Sequence, residues 1–204
     1  MAVDSYSVQT LFVEPFFRAN IASSITPEQI EFVQRLPMID NIDNLISETM
    51  QLFEEPEMKS IKDAVQDVLD IYAREVMCIP QRLYVTQSWS LINKPGVGMH
   101  DHSHSNSVMS GSLYYCPLAQ PTAKMLFTRH TGYNQIDVSP PREARNIYNS
   151  PINWVTPAQN EVVLFSSRLT HKVEKNLSGQ PRHAIAFNTF VKGKLGGRTT
   201  ELIL

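Results

Sequence analysis

The hydrophobic period of this 204-residue chain changes at Pro80. Upstream, apolar residues recur at helical spacing. Thr26-Pro27-Glu28-Gln29 carries the signature of a helix start: Thr26 caps, Pro27 fits the first helical position, and Gln29 completes a capping box. Ile30, Val33 and Leu36 then form one face. Ile42, Leu45, Ile46 and Met50 repeat the helical spacing over 40–53. Ile61, Val65, Val68, Leu69, Tyr72 and Val76 form the clearest stripe, over 57–77. Downstream of Pro80 the segments are short and rich in aromatic and β-branched residues: 83–93, 109–116, 123–129, 161–166 and 183–191. Residues 8–18 also read as extended. Helices first and short strands afterwards predict helices packed on an antiparallel β-sandwich or barrel.

The bulk numbers exclude several classes. A hydrophobic content of 42% suits one globular domain with a full core. The expected division is 1–80 as helical support, 81–192 as the β-core and 193–204 as a tail. The net charge of -2, without a basic stripe, argues against a nucleic-acid partner. No apolar run is long enough for a membrane span, and the N-terminus lacks the features of a signal peptide. Cys78 and Cys116 are too few and too far apart for a disulfide framework or a Cys-based zinc site, so two buried, reduced thiols in a cytoplasmic protein are expected.

The chemistry concentrates in the histidines. Of six, none lies before residue 100, and three, His100, His102 and His104, fall within five positions. In a strand, i and i+2 share a face, so His102 and His104 can converge, with His100 as a third candidate. Imidazole is a common ligand for iron, zinc and copper. The competing reading is a polar loop that happens to be rich in histidine. His171, after the strand EVVLFS, is remote enough to return on another strand and complete a facial triad. Arg182 opens the strand RHAIAFN, and its planar fork suits bidentate capture of a carboxylate.

The order SWSLIN, GVGMHDHSHSNSVMSGSLYY, NEVVLFSSRLTHKVEKN and RHAIAFN resembles the iron(II)- and 2-oxoglutarate-dependent oxygenases of prolyl-hydroxylase type. One group, common in bacteria and phages, shares an H-x-H…N-S-x-x-S-G-x-x-Y block, a later H-x-V-x-x-N block and R-x-x-x-x-F-N. The resemblance covers roughly 83–191. It implies a double-stranded β-helix, a jelly-roll or cupin-like barrel, with N-terminal helices against it, an α+β fold. It implies Fe(II) as the metal, 2-oxoglutarate as cosubstrate and O2, with succinate and CO2 released as an unidentified substrate is hydroxylated. Residue by residue, His102, His104 and His171 match the metal ligands. Arg182 matches the residue that binds the remote carboxylate of 2-oxoglutarate, and Asn188 the asparagine of the closing strand. Tyr114 and Asn93 become candidate walls of the cosubstrate pocket.

Ser105 and Ser166 stand where many relatives carry proline. The wider superfamily has H-x-D or H-x-E where this chain has His104. Three donor sets therefore stay open: the three histidines 102, 104 and 171; two histidines with Asp101; or an incomplete triad finished by water. Other readings of the whole are a cupin-type metal dioxygenase or isomerase, which does not need Arg182, and a catalytically silent barrel used for binding or assembly. Met125, Phe127, Phe165 and Phe187 are candidate apolar walls. The loop 130–152, with Arg142, Arg145, Tyr148 and nearby Trp154, is the candidate substrate lid. The substrate is expected to be a small molecule or peptide. Leu202, Ile203 and Leu204 can pack on their own barrel or on a second copy.

Overall fold

The structure, a computed structural model, describes residues 3–129 and 140–204. Two antiparallel sheets face each other. The major sheet has the order β1 (Phe16–Asn20), β9 (Glu161–Ser166), β6 (Met109–Tyr114), β11 (Arg182–Lys192), β4 (Arg82–Asn93), β3 (Asn44–Ser47) and β2 (Met38–Asn41). The minor sheet runs β5 (Met99–His102), β10 (Thr170–Val173), β7 (Met125–Thr128) and β8 (Ile152–Val155). Alternation along each strand of the major sheet sends one set of side chains between the sheets and the other set outward.

The outward set meets helix. Helix α1 (Pro27–Gln34) begins at the expected capping box, with the Thr26 hydroxyl accepting from the Gln29 N–H and the Gln29 side chain accepting from the Thr26 N–H. Helix α2 (Lys59–Tyr72) buries Ile61, Val65, Val68, Leu69 and Tyr72 in one cluster with Leu83, Leu113, Ile185 and Phe187 of the major sheet. Burying such a stripe, at roughly 1.5–3 kcal/mol per large apolar side chain, drives this packing. Val76 falls outside the stripe: the last turn widens into a π-turn (Ala73–Met77), and the helix ends at Cys78 in the left-handed conformation, which leaves Cys78 exposed where burial was expected, while Cys116 is buried. Phe187, a candidate wall between the sheets, faces this helical side instead and packs 5.8 Å from Phe53.

Three departures from the sequence reading bear on the site. Residues 40–53 do not form a helix. Their first half is the β2–β3 hairpin, turning at Ile42 with positive φ, and β3 pairs with β4 through Leu45↔Ile92 and Ile46↔Leu91. The apolar spacing is real, but pairing to an exposed sheet edge overrides local helical preference. The N-terminal part thus supplies β1, β2 and β3 to the major sheet as well as helices. Last, the tail folds into a small hairpin, β12 (Lys194–Leu195) with β13 (Leu202–Ile203), leaving Leu202, Ile203 and Leu204 exposed.

Gly111 in β6 lies opposite Phe187. A Cβ there would sit 2.3 Å from the Phe187 ring and 2.7 Å from the Val163 carbonyl. Gly111→Ala is therefore expected to destabilise the fold by about 1–3 kcal/mol, as overpacking does, measured by thermal or urea unfolding. Among the described residues, no helix is long and apolar enough to cross a membrane.

Candidate metal centre

The backbone brings the three histidines together in two pieces. His102 ends β5, and His171 lies directly opposite it in β10 as a cross-strand pair. His104 lies just past β5, where its N–H donates to the Ser167 carbonyl at 3.0 Å. The candidate ligand atoms of His102, His104 and His171 all lie within 4.8 Å of one another.

The rings are aimed. Nδ1 of His102 lies 2.9 Å from the His100 carbonyl, and Nδ1 of His171 lies 2.9 Å from the Leu169 carbonyl. A carbonyl only accepts, so each Nδ1 carries the proton and each Nε2 keeps its lone pair for a metal. Burial keeps two of the imidazoles, those of His104 and His171, unprotonated. His104 is held down to about 4, first by burial and second by His102. His171 is pushed down to about 3, chiefly by burial, with His102 and His104 adding to it and the Leu169 carbonyl and Asp101 opposing.

This has a measurable consequence. In the unfolded chain these histidines take protons near pH 6.5, whereas in the folded chain they resist until about 4 and about 3. Below about pH 6.5 the unfolded state binds more protons, so the metal-free fold loses stability progressively down to about pH 3. Thermal melts of metal-free protein are expected to show this fall, reduced in His171→Gln. Added metal extends stability to lower pH, because it binds only the deprotonated ligands.

The other candidates in the cluster point elsewhere. Asp101 faces outward and accepts from Lys172 Nζ at 2.8 Å. The structure brings His102, His104 and His171 together and leaves Asp101 outside that cluster. His100 is exposed, and Asp43 in the β2–β3 turn takes both its backbone N–H (3.0 Å) and its ring Nδ1 (2.6 Å).

Across the same cavity lies Arg182, buried on β11 and paired in register with Asn93. Its Nη1 donates to Asn93 Oδ1 at 3.2 Å and its Nη2 to the Tyr114 hydroxyl at 3.0 Å, with the guanidinium 4.9 Å from the Tyr114 ring centre. Both partners are neutral. Arg182 makes no ion pair among the described residues, and its Nε has no hydrogen-bond partner there. A buried cation without a counterion is costly. The arrangement fits an anion bound from the cavity. The Tyr114 hydroxyl donates to the Met125 thioether at 2.9 Å, a weak acceptor that an anionic oxygen would outcompete. Burial raises the Tyr114 pKa, so the phenol stays protonated and able to donate.

The cavity measures about 240 Å³, room for a small ligand rather than a drug-sized one. His102, His104, His171 and Arg182 share it with Asn93, Tyr114, Met125 and Phe165. Phe127 stands behind His171, ring centres 5.8 Å apart. Asn188 is not among the lining residues; it accepts from the Ser110 hydroxyl at 2.9 Å. Ser110, Ser167 and Ser107 form a hydroxyl chain with steps of 2.8 and 2.7 Å. That network, beside the turn carrying His104, accounts for the motif serines as fasteners of the ligand loops. Asn176 does similar work, tying the Asn93 and Gln180 carbonyls together.

Sequence reasoning missed the opposite wall. Asn41, Asn44, Ile46, Met50 and Trp89 line the cavity beside the histidines, with the Trp89 ring 6.4 Å from His104. The misread hairpin hid the first three; Trp89 was legible only as a strand residue. The expected lid is displaced: its described part, 140–152, contributes nothing to this cavity, and 130–139 lie outside the described residues.

A two-sheet barrel thus holds three convergent imidazoles that could bind one metal ion, opposite a buried arginine with no ion pair among the described residues. The sequence matches the family described as "Putative 2OG-Fe(II) oxygenase" over residues 87–188, half of the chain. The chain belongs to this family, whose members use Fe(II), 2-oxoglutarate and O2. No curated protein matches the sequence.

Solved structures share the fold at low identity. An oxidoreductase of the 2OG-Fe(II) oxygenase family from Burkholderia pseudomallei superposes with TM-score 0.59 at 12% identity, covering 85% of this chain and 83% of that one. HygX from Streptomyces hygroscopicus, with nickel and 2-oxoglutarate bound, gives 0.58 at 14%, covering 86% and 82%. A Pseudomonas putida prolyl-4-hydroxylase gives 0.57 at 13%, covering 86% and 92%. The double-stranded β-helix is thus the fold of this chain.

Proposed function

We propose that this protein is an Fe(II)- and 2-oxoglutarate-dependent hydroxylase. One observation carries the reading: Arg182 is buried, has no counterion among the described residues, and opens onto the same small cavity as His102, His104 and His171. The imidazole donors fit a divalent iron, and the orphaned guanidinium fits a carboxylate.

Each part of the site then has a role. His102, His104 and His171 would hold iron on one face, oriented by the His100, Ser167 and Leu169 carbonyls. Arg182 and Tyr114 would clamp the remote carboxylate of 2-oxoglutarate, and Asn93 would keep the guanidinium in plane. Bound iron supplies oxygen activation coupled to oxidative decarboxylation of 2-oxoglutarate, yielding succinate and CO2 as the substrate is hydroxylated. Met125, Phe165 and Phe127 exclude water from this chemistry. On the other side, Ile46, Met50 and Trp89 with the amides of Asn41 and Asn44 offer no charge. That supports an uncharged substrate group, from a small molecule or a peptide.

A cupin-type dioxygenase or isomerase shares the three-histidine donor set but leaves Arg182 without purpose. The test is succinate formation by purified protein given iron(II), ascorbate and 2-oxoglutarate. Slow turnover without the prime substrate is expected. Binding of neither iron nor 2-oxoglutarate would overturn the reading, and metal-dependent chemistry indifferent to 2-oxoglutarate would favour the cupin type.

A further inference from the structure

At the other end of the two sheets lies a second, larger groove of about 1870 Å³. There, among the described residues, the major sheet ends in β1, paired only with β9, and the minor sheet in β8, paired only with β7. An aromatic layer separates this groove from the metal cavity. Phe127 packs 5.1 Å from Phe165 and 5.4 Å from Phe16, with Phe165 on the cavity side and Phe16 and Phe127 on the groove side. The groove is therefore a surface of its own.

Its composition is unusual for an exposed face. Leu11, Phe12, Ile147, Tyr148 and Trp154 line it and are all exposed, Phe12 to 94%. Single exposed apolar residues are ordinary, but a contiguous set marks an interaction site. Lys124, Arg129, Arg142, Arg145 and Arg168 lie among them in a chain whose net charge is -2. The lining acids are engaged: Glu14 pairs with Arg168 at 2.6 Å, and Glu174 accepts the Lys124 backbone N–H at 3.1 Å. The guanidinium groups of Arg142 and Arg145 make no hydrogen bond or ion pair among the described residues, and both side chains are exposed. Along the edge of β8 away from β7, backbone groups are met by local side chains that an incoming strand would displace: Asn153 Oδ1 accepts from the Trp154 N–H at 2.8 Å, and the Ser150 hydroxyl accepts from the Ile152 N–H at 3.4 Å and donates to the Ile152 carbonyl at 2.5 Å. Unpaired edge strands are templates for another strand.

We propose that this groove docks an acidic polypeptide segment in extended form, added as a strand along β8. Backbone hydrogen bonds to the β8 edge would fix its register, alternate apolar side chains would meet Trp154, Tyr148 and Phe12, and its carboxylates would meet Arg142 and Arg145. A terminal strand edge held by local side chains and the aliphatic residues Leu11 and Ile147 favour polypeptide over nucleic acid, which needs neither. This inference is independent of the oxygenase reading.

The test uses the full chain and a labelled peptide alternating Glu and Val, followed by fluorescence anisotropy. Saturable binding that weakens with salt is expected. Arg142→Glu with Arg145→Glu is expected to weaken it at least about tenfold and to confer binding of a Lys/Val peptide of equal length. A Glu/Val peptide interrupted by proline at alternate positions is expected not to bind, because it cannot donate to the strand edge. Absence of saturable binding, equal binding of Glu/Val and Lys/Val peptides by the parent protein, or indifference to the charge reversal would overturn the proposal. Preferential binding of oligothymidylate would overturn it in favour of nucleic acid. Both arginines are exposed on a loop, so the variant keeps the fold.

Discussion

Arg182→Gln is expected to raise the KM for 2-oxoglutarate by about thirtyfold or more while leaving the fold intact. Breaking a buried charge pair by removing one partner costs at least about 2 kcal/mol in binding, and about 1.4 kcal/mol is a factor of ten. The stability prediction runs the other way. In the absence of cosubstrate the guanidinium is a desolvated cation bonded only to neutral Asn93 and Tyr114, with its Nε orphaned. Glutamine removes that charge, so the variant without cosubstrate is expected to melt no lower than the parent. The parent is expected to gain thermal stability on adding 2-oxoglutarate in the presence of a redox-inert divalent metal, and the variant to gain little. A variant that melts much lower and still responds to 2-oxoglutarate would assign Arg182 a purely structural role.

The second large effect concerns the donor set. His171→Ala and His104→Ala are each expected to lower metal affinity by at least about a hundredfold. This is the upper end of what losing even an outer partner of a ligand costs. At a metal concentration that saturates the parent about a hundredfold, roughly 2.7 kcal/mol of metal-induced stabilisation would disappear. His104→Asp is expected to behave differently, retaining metal within about tenfold. It creates the H-x-D arrangement of the wider superfamily, and the bound cation offsets the cost of placing a carboxylate where burial holds an imidazole neutral. Isothermal titration with nickel or cobalt separates the three variants. Equal loss in His104→Asp and His104→Ala would mean that the backbone here suits only the longer imidazole.

Much of the site was readable in the chain because it rests on local rules. His102 and His104 stand two residues apart, although β5 ends at His102 and a bond from the His104 N–H to the Ser167 carbonyl holds His104 beyond it, and chain order puts His171 and Arg182 on later strands. Other assignments needed the fold. Asp101 sits beside a ligand in sequence, yet its pairing with Lys172 on the outer face of the minor sheet removes it from the metal. Asn188 looked like a pocket residue and instead holds Ser110.

The hairpin shows why local reading failed. Ile42, Leu45, Ile46 and Met50 satisfy helical spacing, but β3 found a partner in β4, and Asp43 is tied to His100, a residue 57 positions away. No local signal encodes a contact of that range. The lid reading met the same limit: loop length was legible, but which groove its described part, 140–152, would line depends on where β8 joins the minor sheet.

By itself, then, the sequence determined the identity of the chemistry. Three imidazole donors and one cation for a carboxylate are properties of side chains, and their spacing survives any packing of the strands. The tertiary structure decided the rest: that three histidines cluster without Asp101, that Arg182 is buried with no counterion among the described residues, and that a hairpin walls the cavity beside the histidines. Those are outcomes of long-range pairing and burial, which set the energy of a charge or a lone pair only once the sheets have closed around it.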